Sequence, residues 1–241
     1  MNTNTQKTGS KYSNRFTLPT LIISALFVSS ICLAEVSMST LDTRLVRSAE
    51  SFENVLNSKS GPMPRRVLAK AEGIIIFREY GAGFIWGGKG GFGIAMRRQH
   101  NGQWGPPAFL GQGEGNFGLQ IGIQRQDLVF LFMSSEALKI FDHEKFKIGV
   151  DIAAAAGPVG ANAEAQAGVP VLVYSDTTGL YAGATFKGGM LLPDKDANEK
   201  FYGKQGIRVP EILRGENIRF PAAAGELRQD LENYESGNRQ N

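Results

Sequence analysis

Cysteine and histidine are nearly missing from this 241-residue chain, which has one cysteine, Cys32, and two histidines, His100 and His143. Cys32 lies in an apolar N-terminal stretch, so the rest of the chain has no thiol for a disulfide, a nucleophile or a metal site. The histidines do not have the helical H-x-x-x-H spacing of a zinc pair. No G-x-S-x-G motif or paired carboxylates occur either, and the sequence therefore predicts neither an enzyme nor a cofactor or metal.

A net basic charge is also missing from most of the chain. Lys+Arg number 26 against 23 Asp+Glu, but Lys7, Lys11 and Arg15 lie in residues 1–34, which contain no acid. The remainder has equal numbers of basic and acidic residues. Because nucleic-acid binding needs a net or clustered basic surface, nucleic acid is not a predicted partner.

Residues 1–34 have the pattern of a secretory signal peptide: a cationic stretch, an apolar run over residues 21–33, and the small residue Ala34. The run is shorter than the ~20 residues that span a bilayer, so cleavage after Ala34 and export, to the periplasm or outside the cell, are favoured over a permanent anchor. A lipoprotein attached through Cys32 is a weaker alternative, because Ile31 stands where a small residue is expected.

Residues 35–234 are predicted to form one domain, followed by a polar tail at 235–241. Apolar residues at three- and four-residue spacing predict a helix over 41–56, and shorter helices are expected at 65–71 and 134–141. Three more helices are predicted at 198–202, 207–213 and 222–234. Strands are predicted at 74–77, 92–97, 117–123, 128–133, 171–174 and 180–186. This order predicts an α+β fold, with an antiparallel, glycine-rich sheet or partly closed barrel flanked by N- and C-terminal helices.

Glycine is abundant, with 30 residues, and it produces two matches to the dinucleotide motif G-x-G-x-x-G, at 88–93 and 113–118. In a dinucleotide-binding site a helix begins at the third glycine, whereas each match here is followed by the alternating residue pattern of a strand. Glycine-rich strands are therefore favoured over a nucleotide site. Asn101-Gly102 predicts a hairpin with a type I′ turn after the first match.

The positive signals are basic clusters beside aromatic residues. Anionic lipid headgroups bind surface cations, and Trp or Phe sit at the membrane interface. The lipid-binding residues are predicted to be Arg65, Arg66, Lys70, Lys89, Arg97 and Arg98. The membrane-contact residues are predicted to be Phe84, Trp86 and Trp104. A solvated charged surface with aromatic residues in the core is the alternative.

Six segments in order resemble the SYLF domain family: residues 84–97, 102–107, 118–122, 156–160, 174–183 and 201–203. The resemblance implies a lipid-binding module, because eukaryotic members recognise phosphoinositides. Yeast members also bind and bundle actin, and secreted bacterial members exist. The eukaryotic N-terminal helix is basic, whereas residues 35–59 here have one more acid than base. Electrostatic attraction of that segment to anionic lipid is therefore expected to be weak.

The leading hypothesis is a non-catalytic, exported module that binds phospholipid or phosphoinositide headgroups at a membrane surface. The alternative is a protein-interaction or structural module of the actin-binding type. A hydrolase acting on envelope lipid is a third hypothesis, for which no nucleophile and base can be assigned. The sequence leaves open the lipid, the oligomeric state, and whether the six cations share one surface.

Overall fold

The computed structural model describes residues 36–59, 62–83, 87–114, 122–160, 168–176 and 190–238. The helices are α1 (Met38–Leu56), α2 (Arg65–Ala69), α3 (Lys195–Tyr202), α4 (Val209–Arg214) and α5 (Gly225–Ser236), with 3₁₀ segments at Ala137–Asp142 and Ala222–Ala224. The strands are β1 (Gly73–Gly83), β2 (Gly87–Arg97), β3 (Ala108–Glu114), β4 (Gly122–Phe132), β5 (Ala154–Ala156), β6 (Val171–Ser175) and β7 (Leu191–Pro193).

The seven strands form one sheet in the order β5-β6-β4-β1-β2-β3-β7. Neighbouring strands are antiparallel except for β5 and β6, which are parallel. Among the described strands, β5 and β7 form the two edges and do not pair with each other. The predicted α+β class is therefore confirmed, as an open and mostly antiparallel sheet and not a partly closed barrel.

The sheet buries apolar residues on both faces, because successive side chains of a strand point to opposite sides. Ile74 and Ile76 of β1 pack with α1, α2 and α5, and this side is named the α1 face. Ile75 and Phe77 pack with α4 and the 3₁₀ segment Ala137–Asp142, and this side is named the α4 face. Continuous apolar runs such as Ile74–Phe77 are the sequence signature of strands covered on both faces.

Helix α1 begins where Ser37 accepts a hydrogen bond from the backbone N–H of Thr40, 3.2 Å away. Its buried residues include Leu41, Leu45 and Phe52, which recur on one side of the helix. The predicted helix is confirmed, and it begins three residues earlier than the apolar pattern.

The terminal helices are also confirmed, with one correction at the C-terminus. Helix α5 runs to Ser236, so Glu235 belongs to the helix and not to the predicted polar tail. The predicted helix at 134–141 is a 3₁₀ segment, preceded by Ser134, whose hydroxyl oxygen accepts from the N–H of Ala137 at 3.2 Å.

The strands are longer than the apolar runs that predicted them. β4 covers the predicted run at 128–133 almost completely and extends back to Gly122 through polar residues. Two short strands, β5 and β7, were not predicted, because three residues carry too little periodicity. The predicted strand at 180–186 and most of that at 117–123 lie outside the described residues.

The hairpin between β2 and β3 is confirmed, but the predicted type I′ turn is wrong. Gly102 has a positive φ of 82°, whereas Asn101 does not have one. Backbone hydrogen bonds join Gly102 N–H to Gln99 O and Gln99 N–H to Gln103 O, both at 2.8 Å. This is a three-residue loop with a left-handed glycine, so only one residue needs positive φ.

The first glycine motif lies within β2, as predicted, and its glycines serve packing. A Cβ at Gly91 or Gly93 would collide with the ring of Phe77 on the neighbouring strand and with backbone oxygens of β1. The ring therefore lies against β2 because these positions have no side chain. The second motif extends beyond the described residues.

Candidate functional site

Helix α2 presents basic residues to solvent at the end of the sheet where β1 begins. Pro64 stands at its N-terminal cap, and Val67 and Leu68 are buried in the core. The helix has about one and a half turns, and its exposed side carries Arg65 and Arg66, with Lys70 directly after it. These three residues are named the α2 basic face, and they are the predicted lipid-binding residues that the structure brings together at the surface.

The C-terminus of α5 supports the α2 basic face. The Arg65 guanidinium carbon lies 5.9 Å from the centroid of the Tyr234 ring, within cation–π distance. The Tyr234 hydroxyl donates to the backbone oxygen of Met63, just before α2. A Cβ at Gly237 would lie 2.6 Å from Arg65 Nη1, so the glycine that caps α5 also leaves room for the arginine.

Arg98, by contrast, is used inside the fold. Its guanidinium donates to the backbone oxygens of Ala71 at 3.0 Å and Leu68 at 3.2 Å, and pairs with Glu235 of α5 at 2.7 Å. Both side chains of the ion pair are only 16% exposed. A cation with these partners is not available to a headgroup, and its prediction as a lipid-binding residue is corrected to a structural role.

Trp104 belongs to the same arrangement. It is 1% exposed, its ring lies 4.2 Å from the Arg98 guanidinium carbon, and its Nε1 donates to Glu235 Oε1 at 2.9 Å. A buried indole cannot lie in a membrane interface, so the predicted membrane contact at Trp104 is wrong. The predicted contacts at Phe84 and Trp86 lie outside the described residues.

Arg97 and Lys89 do not join the α2 basic face. Arg97 precedes Arg98 on the strand and therefore points to the α4 face, where it lines a small cleft. Lys89 is eight positions from Arg97 on β2, which is about 26 Å along a strand at roughly 3.3 Å per residue. The side chain of Lys89 lies outside the described part. The six predicted cations therefore do not form one headgroup site.

A buried ionic cluster, which sequence reasoning missed, fastens α1 to the sheet. Arg78 of β1 donates from Nε to Asp127 of β4 at 2.6 Å, and the two residues are 4% and 0% exposed. Ser51 Oγ and Asn54 Nδ2 of α1 donate to the same carboxylate at 2.8 and 2.7 Å. The sequence does show a charged residue beside each of two apolar runs: Arg78 follows the run in β1, and Asp127 precedes the run in β4. Only the pairing of β1 with β4 brings the two charges together.

The pKa values of this cluster follow from its contacts. Burial alone would raise the pKa of Asp127, but the hydrogen bonds from Arg78, Asn54 and Ser51 outweigh it and hold the pKa below its ordinary value. Asp176, whose carboxylate accepts from the Asp127 backbone N–H at 3.0 Å, has a raised pKa because of burial and of the nearby Asp127 charge. The cluster is a structural ion pair, and the neighbouring Asp176 carries its charge at a cost.

The α4 face also has a cavity larger than the cleft beside Arg97. It measures about 380 Å³, is bounded by the 3₁₀ segment Ala137–Asp142, α3 and α4, and has His143 among its lining residues. His100 lies in the β2–β3 hairpin. In the described part of the chain, no group of three or more His, Cys, Asp or Glu is placed to hold a metal ion. Across the same residues, no helix combines the length and apolar character that a bilayer span requires.

Comparison with known proteins places the chain in a family. Residues 113–234 match the family model Ysc84, described as "Las17-binding protein actin regulator". SH3 domain-containing YSC84-like protein 1 is 34% identical over 187 residues in Xenopus laevis, covering 74% of this chain and 56% of the relative, and the Homo sapiens protein gives 34%, 74% and 54%. Protein YSC84 of Saccharomyces cerevisiae is 33% identical over 177 residues, covering 70% and 37%.

The chain spans about half the length of the vertebrate relatives that it matches. The names of these relatives do not mention an enzyme activity, and the description of the family model mentions an actin regulator. The match confirms the resemblance drawn from the six segments in the sequence. The chain belongs to the Ysc84 family, whose module is the SYLF domain.

Proposed function

We propose that this protein is a non-catalytic protein-interaction module and that its α2 basic face contacts the partner. The observation that carries the proposal is membership of a family described as Las17-binding and actin-regulating. The partner is expected to present an acidic surface, because Arg65, Arg66 and Lys70 are exposed cations held on a short, well-packed helix.

The rigidity of the α2 basic face supports a docking role. Val67 and Leu68 are 1% and 0% exposed, so the helix cannot rotate without opening the core. Arg65 rests on Tyr234, which limits the rotamer entropy that this arginine loses on binding. Cations fixed in this way discriminate between partners by position as well as by charge.

Sedimentation with actin filaments tests the proposal. The purified protein is expected to sediment with the filaments, and reversal of Arg65 and Arg66 to Glu is expected to weaken binding by roughly 10–100-fold, as loss of charged contacts does. The matched control reverses Lys145 and Arg219, two exposed cations that have no ion pair with a described residue. If both variants lose the same affinity, the loss comes from the change in net charge and not from the position of the residues. If R65E/R66E binds as the wild type does, the α2 basic face is not the binding site.

An anionic phospholipid surface is the second candidate partner, favoured by the same three exposed cations. Each Lys or Arg near an anionic membrane contributes about 1 kcal/mol, so the α2 basic face would supply about 3 kcal/mol. Because Trp104 is buried, this attraction has no contribution from that ring and is expected to disappear at high salt. Flotation with anionic and neutral vesicles at two salt concentrations, using the same variants, separates this candidate from filament binding.

We also propose that the protein is exported after cleavage behind Ala34. Residues 1–34 carry the signal-peptide pattern. An exported module would meet an acidic partner outside the cytosol, so filament sedimentation tests the α2 basic face as a docking surface and not the partner in the cell. Mass spectrometry of the protein purified from its own cells is expected to find Glu35 at the N-terminus. A lipid-modified Cys32, or an intact Met1, would replace this proposal with an anchored or unprocessed form.

A further inference from the structure

A small cleft on the α4 face gathers cations from three elements that are distant in sequence. Arg97 comes from the end of β2, Lys139 from the 3₁₀ segment Ala137–Asp142, and Arg214 from the last turn of α4. Ser135 adds a hydroxyl and Asp142 a carboxylate to the same lining. This group is named the Arg97 cleft, and it lies on the opposite face of the sheet from the α2 basic face.

One amide joins the backbone segments that carry Arg97 and Arg214. Gln99 Nε2 donates to the backbone oxygen of Arg97 at 3.2 Å and to that of Leu213 at 2.9 Å. Two glycines leave space for this side chain, since a Cβ at Gly105 would collide with Nε2 and one at Gly215 would lie 2.7 Å from Oε1. Gln99 thus joins the β2–β3 hairpin to the C-terminus of α4, and it occupies a terminal carbonyl of that helix.

The charges of the Arg97 cleft are incompletely neutralised within the described residues. Neither Arg97 nor Arg214 has an ion pair or side-chain hydrogen bond there, and Lys139 pairs with Glu136 at 2.7 Å in an exposed position. Asp142 likewise has no ion pair with a described residue. Arg97, Arg214 and Lys139 thus line one cleft with Asp142, and only Lys139 has an ion-pair partner there, so an anion entering the cleft would lower the repulsion between the cations.

We propose that the Arg97 cleft binds a phosphate-sized oxyanion, as free phosphate or as a phosphomonoester headgroup. The cleft has a volume of about 100 Å³ and is open to solvent, so it has room for an oxyanion of the size of phosphate. Two guanidinium groups and an ammonium group provide fork-shaped and point donors for an oxyanion. The Ser135 hydroxyl supplies a further donor.

Asp142 gives the proposal a distinctive consequence. Its carboxylate opposes an anion, so replacement by Asn removes a repulsion and leaves the size of the cleft unchanged. Asp142→Asn is therefore expected to strengthen phosphate binding about three- to tenfold, whereas R97Q/R214Q is expected to weaken it by tenfold or more. A merely structural role of these residues would not produce opposite effects.

Titration calorimetry of the whole protein with inorganic phosphate is the test, with sodium chloride at equal ionic strength as the reference. Phosphate binding that D142N strengthens and R97Q/R214Q abolishes would establish the site. The proposal is wrong if phosphate gives the same binding heat and the same rise in melting temperature as chloride. It is also wrong if the wild type, D142N and R97Q/R214Q bind phosphate with equal affinity. Because Asp142 and Arg214 are exposed and Arg97 is half-buried, circular dichroism of each variant checks that the fold is retained.

A second arm distinguishes the two sources of the anion. Vesicles that contain phosphatidate and vesicles of phosphatidylcholine alone are compared, with K145Q/R219Q as the control, because it removes the same charge from exposed residues outside both basic sites. Binding to phosphatidate vesicles that is lost in R97Q/R214Q but kept in K145Q/R219Q would assign the cleft to a lipid headgroup. Phosphate binding without vesicle binding would assign it to a soluble anion. The site does not depend on the function proposed for the α2 basic face, so either one can fail without the other.

Discussion

The two faces of the sheet use the same kind of residue in different ways. On the α1 face, Arg78 and Arg98 are paired with Asp127 and Glu235 in largely dry surroundings, and they hold helices in place. On the α4 face, Arg97 and Arg214 line a cleft and have no ion-pair partner among the described residues. An arginine is therefore structural or available for a ligand according to the carboxylate that the fold places beside it, and not according to its local sequence.

The largest expected effect is loss of the carboxylate that neutralises Arg78. Asp127→Asn keeps the shape of the side chain but removes the buried counter-charge of Arg78, which is 4% exposed, and leaves only the exposed Glu50. Breaking a buried pair in this way typically costs about 3–5 kcal/mol, and we expect that loss in the free energy of unfolding. Urea denaturation measures it. Glu50→Gln is the control, because this second partner of Arg78 is 56% exposed and should contribute less than about 1 kcal/mol.

Glu235→Ala is expected to have the next largest effect. It removes the acceptor of the Trp104 indole N–H and the counter-charge of Arg98, whose guanidinium keeps only backbone oxygens as acceptors. We expect a loss of about 2–3 kcal/mol in the free energy of unfolding. Tryptophan fluorescence should shift as water reaches the indole. A change below about 0.5 kcal/mol would mean that α5 is held by its apolar residues alone.

These two ion pairs also show where sequence reasoning stops. The spacing of Leu41, Leu45 and Phe52 is a local property, and it predicts α1 and its buried side. Arg78 and Asp127 are 49 positions apart, and only the register of β1 against β4 brings them together. A single sequence carries no signal for that register when both strands are apolar on both faces.

The opposite orientations of Arg97 and Arg98 follow from the sequence pattern itself. Arg97 ends the predicted strand at 92–97 and Arg98 comes directly after it, and successive side chains of extended backbone point to opposite faces. One headgroup site that contains both residues therefore conflicts with the predicted strand. The type I′ turn at Asn101-Gly102 is a different case, since the dipeptide fits two hairpin loops. The protein has the longer loop, and Gln99 at its start also bonds Leu213.

A third prediction uses pH to separate two carboxylates of the same cluster. The folded pKa of Asp127 is lowered, so its stabilisation is complete above its ordinary pKa of 3.8 and is lost as the pH falls through the folded value. The folded pKa of Asp176 is raised, so its charge destabilises the fold above that raised value and the penalty disappears as the pH falls. Asp176→Asn retains an oxygen that can accept from the Asp127 N–H.

The melting temperature of D176N is therefore expected to exceed that of the wild type near neutral pH. The difference should shrink as the pH falls through the raised pKa and vanish below about pH 3.8, where both states of the wild type are protonated. Melting curves across this pH range measure it. A difference that does not change with pH would mean that the substitution acts through packing or hydrogen bonding and not through charge.

The smallest expected change in the free energy of unfolding is that of a substitution on the α4 face. It tests whether the arginines of this face are available to a ligand and not structural. Arg97→Gln removes a half-buried cation that has no ion pair with a described residue, so no partner is left unsatisfied. In phosphate-free buffer we expect the free energy of unfolding to change by less than about 0.5 kcal/mol, or to rise slightly as repulsion with Arg214 and Lys139 is relieved. In phosphate the wild type should gain stability that the variant does not gain, because a ligand that binds only the folded state stabilises it. A loss of 2 kcal/mol or more in phosphate-free buffer, as roughly expected for Glu235→Ala, would mean that Arg97 is a structural arginine like those of the α1 face.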